Sequence, residues 1–268
     1  MRVISREELI AAGLPNAAIL PGKLAARFLR RSAPPFESVL VAVFPYYVDR
    51  EPGNLSLYAR GFDYHTVLSK TLIAGAQTLA LPGIPYVDGS PFDEVGLAAE
   101  AGLGGVGLNR LLVSRVFGSF CFIGEWVSTE ALSPVKGELA PGCTHCKRCL
   151  EQCPTQTLSG GAMHSCLSAL TQAKQLTEIE LQYVAHAPLI WGCDICQLCC
   201  PANAALVPTA LLQFRQELVN TLAQEQLEGL SNRAFAKSFP NRAFTWRGVR
   251  PLQRNLYAQH LARGVPKG

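Results

Sequence analysis

Nine of the ten cysteines fall within 58 residues, and their spacing constrains this chain more than any other feature. The first run reads Cys143-Thr-His-Cys146-Lys-Arg-Cys149-Leu-Glu-Gln-Cys153-Pro154. Cys-x2-Cys-x2-Cys-x3-Cys-Pro is the spacing of bacterial two-cluster ferredoxins: three thiolates of a tight loop hold one [4Fe–4S] cluster, and the fourth cysteine ligates the other. A zinc site is normally built from two Cys-x2-Cys pairs with no Cys-Pro terminator, so iron–sulfur is the expectation. The second run is Cys193-Asp-Ile-Cys196-Gln-Leu-Cys199-Cys200-Pro201. Two cubic clusters take eight thiolates, and this region offers nine. Crossed ligation gives Cys143, Cys146, Cys149 and Cys200 to one cluster. Cys153, Cys193 and Cys196 go to the other, completed by Cys166 or Cys199, and spacing alone leaves those two open. Cys121 lies in an apolar segment and reads as a buried thiol.

The rest of the composition fits a cofactor-bearing protein of a reducing compartment. Of 268 residues, 49% are hydrophobic and 16% charged, which excludes global disorder. The longest apolar runs fall far short of the roughly 20 residues a membrane helix needs. The opening Met1-Arg2-Val3-Ile4-Ser5-Arg6-Glu7-Glu8 has no secretory character. A cytoplasmic protein is expected, and there crowded cysteines argue for metal chemistry over disulfides.

Three parts are read along the chain. Residues 1–133 are mixed α and β, with strands at 36–47 and 84–87 and helices at 63–80 and 95–102. A glycine-dense loop follows at 102–109, and segments 111–116 and 120–127 flank Phe117-Gly118-Ser119 as an expected hairpin. Residues 134–204 are the cysteine region. Residues 205–268 begin with a helix-like stretch at 205–226 and end in a basic tail. From Ser231 onward there are eight basic side chains (Arg233, Lys237, Arg242, Arg247, Arg250, Arg254, Arg263 and Lys267) and no acid, which leaves the first 230 residues at −4. Phe235, Phe239, Phe244, Trp246 and Tyr257 are interleaved with these charges. Such a pattern either grips a phosphate-rich partner and stacks on unpaired bases, or is a solvated surface with its aromatics turned inward.

Several stretches, taken in order, resemble the epoxyqueuosine reductase family of tRNA-modifying enzymes. They are Tyr58-Ala-Arg-Gly-Phe-Asp-Tyr-His65, Val87-Asp88-Gly89-Ser90-Pro91, Ala101-Gly-Leu-Gly-Gly-Val-Gly-Leu-Asn109 and Gly118-Ser-Phe-Cys-Phe-Ile-Gly-Glu125, followed by the first cysteine run, Cys166-Leu-Ser-Ala-Leu-Thr171 and Gly192-Cys-Asp-Ile-Cys-Gln197. The resemblance covers residues 36–204 and touches 230–255. It departs at Leu108, where a lysine is usual, at Ala169 for tyrosine, at Gln172 for glutamate and at Ala202 for tryptophan.

The resemblance implies an α+β chain: an α/β cobalamin-binding domain related to reductive dehalogenases (1–133), a ferredoxin-like double [4Fe–4S] domain (134–204) and a short helical basic segment (205–268). It makes Cys166 the eighth ligand and Cys199 a spare thiol. Asp88 would be the proton donor, and it must be protonated when substrate is bound, with a pKa raised by burial near the corrinoid. Gly102, Gly104, Gly107 and Asn109 would form the corrinoid-binding loop, with Leu112 and Ile123 beside it. The implied function is reduction of epoxyqueuosine to queuosine in a tRNA anticodon loop, with an external one-electron donor such as a ferredoxin or flavodoxin. The alternatives are a corrinoid reductase of a small epoxide or halide, and an electron carrier without cobalamin. His65 reads as a structural hydrogen-bonder.

Overall fold

In the computed structural model, which describes residues 1–161 and 165–264, the chain divides into two units, each assembled from separate stretches of sequence. Met1–Tyr46, Tyr64–Cys146 and Pro201–Val207 form the first. The second takes Tyr47–Asp63, Lys147–Cys200 and Pro208–Gly268. The units therefore do not follow contiguous cuts after residues 133 and 204.

The first unit contains helices α1 (Arg6–Ala11), α2 (Gly22–Ala25), α3 (Tyr64–Thr78) and α4 (Glu94–Glu100). Its strands are β1 (Ala17–Pro21), β2 (Ser38–Pro45), β3 (Ile84–Tyr86), β4 (Gly105–Val106), β5 (Leu112–Val113) and β6 (Cys121–Ser128). Helix α1 starts at a capping box: the Ser5 hydroxyl accepts from the Glu8 N–H and the Glu8 carboxylate accepts from the Ser5 N–H. Four strands make a sheet in the order β1-β2-β6-β3, antiparallel throughout. The run Ser-Val-Leu-Val-Ala-Val-Phe of β2 has no polar alternation because both its faces are covered. On one face Val39, Val41 and Val43 cluster with Leu97 and Ala98 of α4 and with Ala101, which caps it. On the other, α3 lies so close to β6 that a Cβ at Gly124 would sit 3.0 Å from Leu72. Fully burying each such valine or leucine stabilises the unit by about 1.5–3 kcal/mol.

The expected strands at 36–47 and 84–87 and helices at 63–80 and 95–102 are present, but the expected hairpin is not. β5 pairs with β4, while β6 pairs with β2 and β3. The Phe117-Gly118-Ser119 turn is pinned by a side chain instead. Asn203 accepts from the Ser119 N–H at 2.9 Å and donates to the Ser119 hydroxyl at 2.9 Å. Gly118 has φ +56°, and a Cβ there would meet the Asn203 carbonyl oxygen, so β6 leaves the turn toward the sheet rather than back along β5.

In the second unit are α5 (Arg148–Glu151), α6 (Leu167–Gln172), α7 (Glu178–Ala185), α8 (Ile195–Leu198), α9 (Asn232–Ser238) and α10 (Arg250–Ala262). Its core joins Leu55, Ala59 and Trp191 to Phe235, Phe244 and Leu252, all essentially inaccessible. The C-terminal segment is thus part of a packed body, not an appended tail. The expected helix at 205–226 is replaced by one 3-10 turn, Leu212–Phe214, and irregular chain with bends and turns. Asn54 and Asn220–Leu222 exchange hydrogen bonds: the Asn54 N–H donates to Asn220 O at 3.0 Å, and its side chain bonds both backbone groups of Leu222 at 2.9 Å. These tertiary bonds override a helical pattern that propensity alone supports. Among the described residues no helix is long and apolar enough to cross a membrane.

Candidate functional site

Asp88 sits just past β3, in the loop that leads to α4. Its φ of +54° and that of Gly89, +61°, place two successive residues in the left-handed region, which Asp tolerates better than most residues. This turn carries the Asp88 carboxylate to the start of α3, where it accepts from the Tyr64 hydroxyl and lies 3.2 Å from His65 Nε2. Tyr64 is fixed beneath it by stacking on Phe122 of β6 (4.2 Å between centroids, 7° between planes) and on His65 (4.1 Å). Burial pushes the Asp88 carboxyl up, but the hydrogen bonds from His65 and Tyr64 and the His65 charge outweigh it, so the group ionises below the ordinary carboxylate range. In the free chain Asp88 is thus a half-exposed carboxylate facing two donors, and the raised pKa expected of it concerns the substrate-bound state.

The loop bearing Asp88 is clamped from the sheet side. Glu125, wholly inaccessible on β6, accepts a hydrogen bond from the Ser90 hydroxyl, which in turn accepts from the Phe92 N–H at 3.2 Å. The Arg31 guanidinium donates to the Gly89 and Ser90 carbonyls. Burial raises the Glu125 carboxyl to about 8, and burial with the nearby Asp88 charge raises Glu94 to about 7. Glu125 is thus a neutral acid at pH 7, with its second oxygen unpaired. Between the unfolded value of 4.5 and about 8 the folded state holds a proton that the unfolded chain has lost, so stability falls as pH rises through that window. Glu125→Gln removes this titration. Thermal melts from pH 5 to pH 9 should show the wild type losing stability relative to Glu125→Gln as pH increases; parallel curves would show that Glu125 is ionised in the folded state.

The glycine loop follows α4 and includes β4. Gly102, Gly104 and Gly107 are required first by the chain itself. Gly104 has φ +141°, Gly102 has φ +81°, and a Cβ at Gly107 would lie 2.5 Å from Asn109 Oδ1 and 2.7 Å from Val113. Leu112 is buried in the core beneath the loop, and Ile123, opposite Val43 in the sheet, packs against the same core. Asn109 is nearly inaccessible; its Oδ1 accepts from the Leu111 N–H at 3.3 Å, and its Nδ2 has no acceptor. A buried amide donor without a partner costs about 1–3 kcal/mol, a deficit that a ligand carbonyl brought to the loop would relieve. That orphaned donor fits a ligand rich in amide acceptors, as a corrinoid is.

None of the ten cysteines is paired in a disulfide. Cys143 and Cys146 close the second stretch of the first unit, and Cys149, Cys153, Cys166, Cys193, Cys196 and Cys200 belong to the second. Burial, and then the neighbouring Asp194, Cys166 and Cys153 charges, push the Cys193 thiol up to about 12. Cys196 is raised by burial and by Cys193, Cys166, Cys199 and Cys149. Cys166 thus lies close to both Cys193 and Cys196, whereas the Cys199 thiol turns to the Cys196 carbonyl at 3.6 Å. Among the described residues no three of these donors already converge on a metal position, and it is the soft sulfur chemistry of the set that suits an iron–sulfur cluster. The loop is braced by Asp194, almost wholly buried, which accepts from the Ser56 hydroxyl and the Leu57 N–H. Cys121 opens β6, and burial raises its thiol to about 12.

Comparison with known proteins matches residues 142–203 to the 4Fe-4S double cluster binding domain. An epoxyqueuosine reductase of Lactococcus garvieae is 37% identical over 225 residues, 79% of this chain and 62% of its own length. One from Synechocystis is 36% identical over 203 residues, 69% of this chain and 70% of that protein. This chain belongs to the epoxyqueuosine reductase family. It spans about 60% of the length of the first relatives it matches. A crystal structure of epoxyqueuosine reductase with an epoxyqueuosine-modified tRNA-Tyr stem loop shares the fold, with a TM-score of 0.80 at 23% identity over 96% of this chain and 81% of that one.

Within this member of the epoxyqueuosine reductase family the fold adds Tyr64, Ser90, Glu94 and Glu125 to the surroundings of Asp88. Their one signal in the sequence was Glu125 itself, a charged residue inside the apolar run 120–127. The basic segment divides in two. Arg242, 6% exposed, donates to the Arg60 and Glu217 carbonyls and covers the Phe62 ring, and Arg254 donates to the Ala173 carbonyl at 2.8 Å. Phe235 and Phe244 are core residues, with Phe239 packed against them. Trp246 and Tyr257 remain outside, 58% and 42% exposed. Lys267 lies outside the described residues.

Proposed function

We propose that this chain reduces epoxyqueuosine to queuosine in tRNA, using two [4Fe–4S] clusters and cobalamin. The observation that carries the reading is Asp88, set on a left-handed turn against Tyr64 and His65, in a chain that belongs to the epoxyqueuosine reductase family. Loss of the epoxide oxygen as water takes two electrons and two protons. The clusters and the corrinoid, when bound, supply low-potential electrons one at a time. Cys143, Cys146, Cys149 and Cys200 would hold one cluster, and Cys153, Cys166, Cys193 and Cys196 the other. The corrinoid would lie on the loop of Gly102, Gly104, Gly107 and Asn109, beside Leu112 and Ile123, where the unpaired Asn109 amide supports the assignment.

The chain's own contribution is the proton. Asp88 starts as a carboxylate, and a substrate that covers its exposed face strips water from it and raises its affinity for a proton. A proton taken up from solvent then passes from the Asp88 carboxyl to the departing oxygen, the second proton that completes water also comes from solvent, and His65 and Tyr64 orient the carboxyl and stabilise it after release. The unpaired wobble base of an anticodon loop can be extruded into such a site; a duplexed base could not. The electrons would come from an external one-electron donor such as a ferredoxin or flavodoxin, in the cytoplasm. Anaerobically reconstituted protein with a strong one-electron donor should convert epoxyqueuosine tRNA to queuosine tRNA, read by nucleoside mass spectrometry. A protein inert on that tRNA but active on a small epoxide or halide would overturn the reading.

A further inference from the structure

We propose that a cleft of about 580 Å³ in the second unit, walled by Lys174, Trp246, Arg247 and Arg250, is an RNA-binding subsite that takes a backbone phosphate and stacks one unpaired base. The proposal rests on the tRNA reading above and assigns it a contact surface.

Three cations line the cleft and no carboxylate does, and among the described residues Lys174, Arg247 and Arg250 enter no ion pair. Cations on a protein surface usually sit among acids; three left uncompensated around one concavity focus positive potential there. Trp246 is 58% exposed, while Trp126 and Trp191 are 7% and 0% exposed. Its indole is held as a platform. The Arg247 guanidinium covers one face at 3.7 Å from the ring centroid, and the indole N–H donates to Gln172 Oε1 at 3.3 Å. Arg247 Nε is buried without an acceptor.

The turn that presents this pair is built, not loose. Gly248 has φ +76°, and a Cβ on it would sit 2.4 Å from Asn232 Oδ1, which accepts from the Val249 N–H at 3.1 Å. The Thr245 hydroxyl closes the other side on the Arg242 carbonyl at 2.8 Å. A rigid aromatic ring backed by a guanidinium offers a stacking surface for any base, and the surrounding cations suit a phosphodiester. An acidic peptide would satisfy the charges but leave the indole face without a planar partner.

The test uses the full chain with wild-type iron content. Titrating it with an unmodified anticodon stem-loop should quench Trp emission, which inorganic phosphate and polyglutamate should not. By anisotropy of a labelled stem-loop, Trp246→Ala should weaken binding roughly 5- to 150-fold, the range expected for one base–aromatic stack. Arg247→Ala with Arg250→Ala should flatten the log–log salt dependence by about 1.4, at about 0.7 for each cation on single-stranded RNA. Variants that bind the stem-loop as the wild type does, or polyglutamate binding with the same quench, would overturn the proposal. Its failure is separable from that of the enzymatic reading. If the variants convert tRNA with unchanged KM, the cleft assignment falls and the function stands. If stem-loop binding depends on the cleft but epoxyqueuosine tRNA is not converted, the function falls and the subsite stands.

Discussion

Asp88→Asn should fold, take up both clusters and cobalamin, and yet lose at least ~100-fold in turnover, the usual span of general acid catalysis. The amide keeps the size of the side chain and can still meet Tyr64, so the left-handed turn at residue 88 is not disturbed. What it lacks is a transferable proton. Because the free carboxyl ionises below its ordinary range, the wild type depends on the covering substrate to load Asp88, and its turnover should decline toward alkaline pH. His65→Gln retains a hydrogen-bond donor but removes the positive charge, and should cost less than Asp88→Asn while shifting the pH profile. Tyr64→Phe, which keeps the stack on Phe122, should do the same. Single-turnover rates across pH 6–9 measure all three. An Asp88→Asn protein with wild-type rates would move the proton donor elsewhere, with the Glu94 and Glu125 carboxyls, both raised by burial, as the substitutes to test.

Local pattern made the first unit legible. The uninterrupted apolar run of β2 can only be a strand covered on both faces, and the apolar spacing of α3 can only be a surface helix. The cysteine spacings carried the cluster chemistry without any structural help. What the chain alone did not disclose depends on partners distant in sequence. Residues 205–226 have a helical pattern, but Asn54, 168 positions upstream of Leu222, ties the end of that segment into irregular chain. The hairpin at 117–119 was displaced by Asn203, 84 residues away. The basic segment looked uniform, yet Arg242 and Arg254 are spent on carbonyls inside the second unit while Arg247 and Arg250 stay at the surface. The free-chain Asp88 carboxyl makes a related point. Burial could be anticipated from an apolar setting, but the sign was decided by His65 and Tyr64, whose ring positions are set by Phe122 on another element.

Iron content should separate the two candidates for the eighth cluster ligand. Anaerobic wild-type protein should carry about eight irons, the sum of two [4Fe–4S] clusters. Cys166→Ala should lose roughly one cluster, because Cys166 is within charge–charge reach of both Cys193 and Cys196 and its loss would leave that cluster with three protein thiolates. Cys199→Ala should keep both, since the Cys199 thiol is already engaged with the Cys196 carbonyl. Cys143→Ala and Cys193→Ala, one from each cysteine run, should each cost one cluster, and Cys121→Ala should cost none. Colorimetric iron and sulfide assays, together with low-temperature paramagnetic resonance of the reduced protein, distinguish one cluster from two. If Cys199→Ala loses a cluster and Cys166→Ala does not, the second run supplies its own fourth ligand, and Cys166 becomes a half-buried thiol ahead of α6. In that case the nearness of Cys166 to Cys193 and Cys196 would be packing rather than ligation.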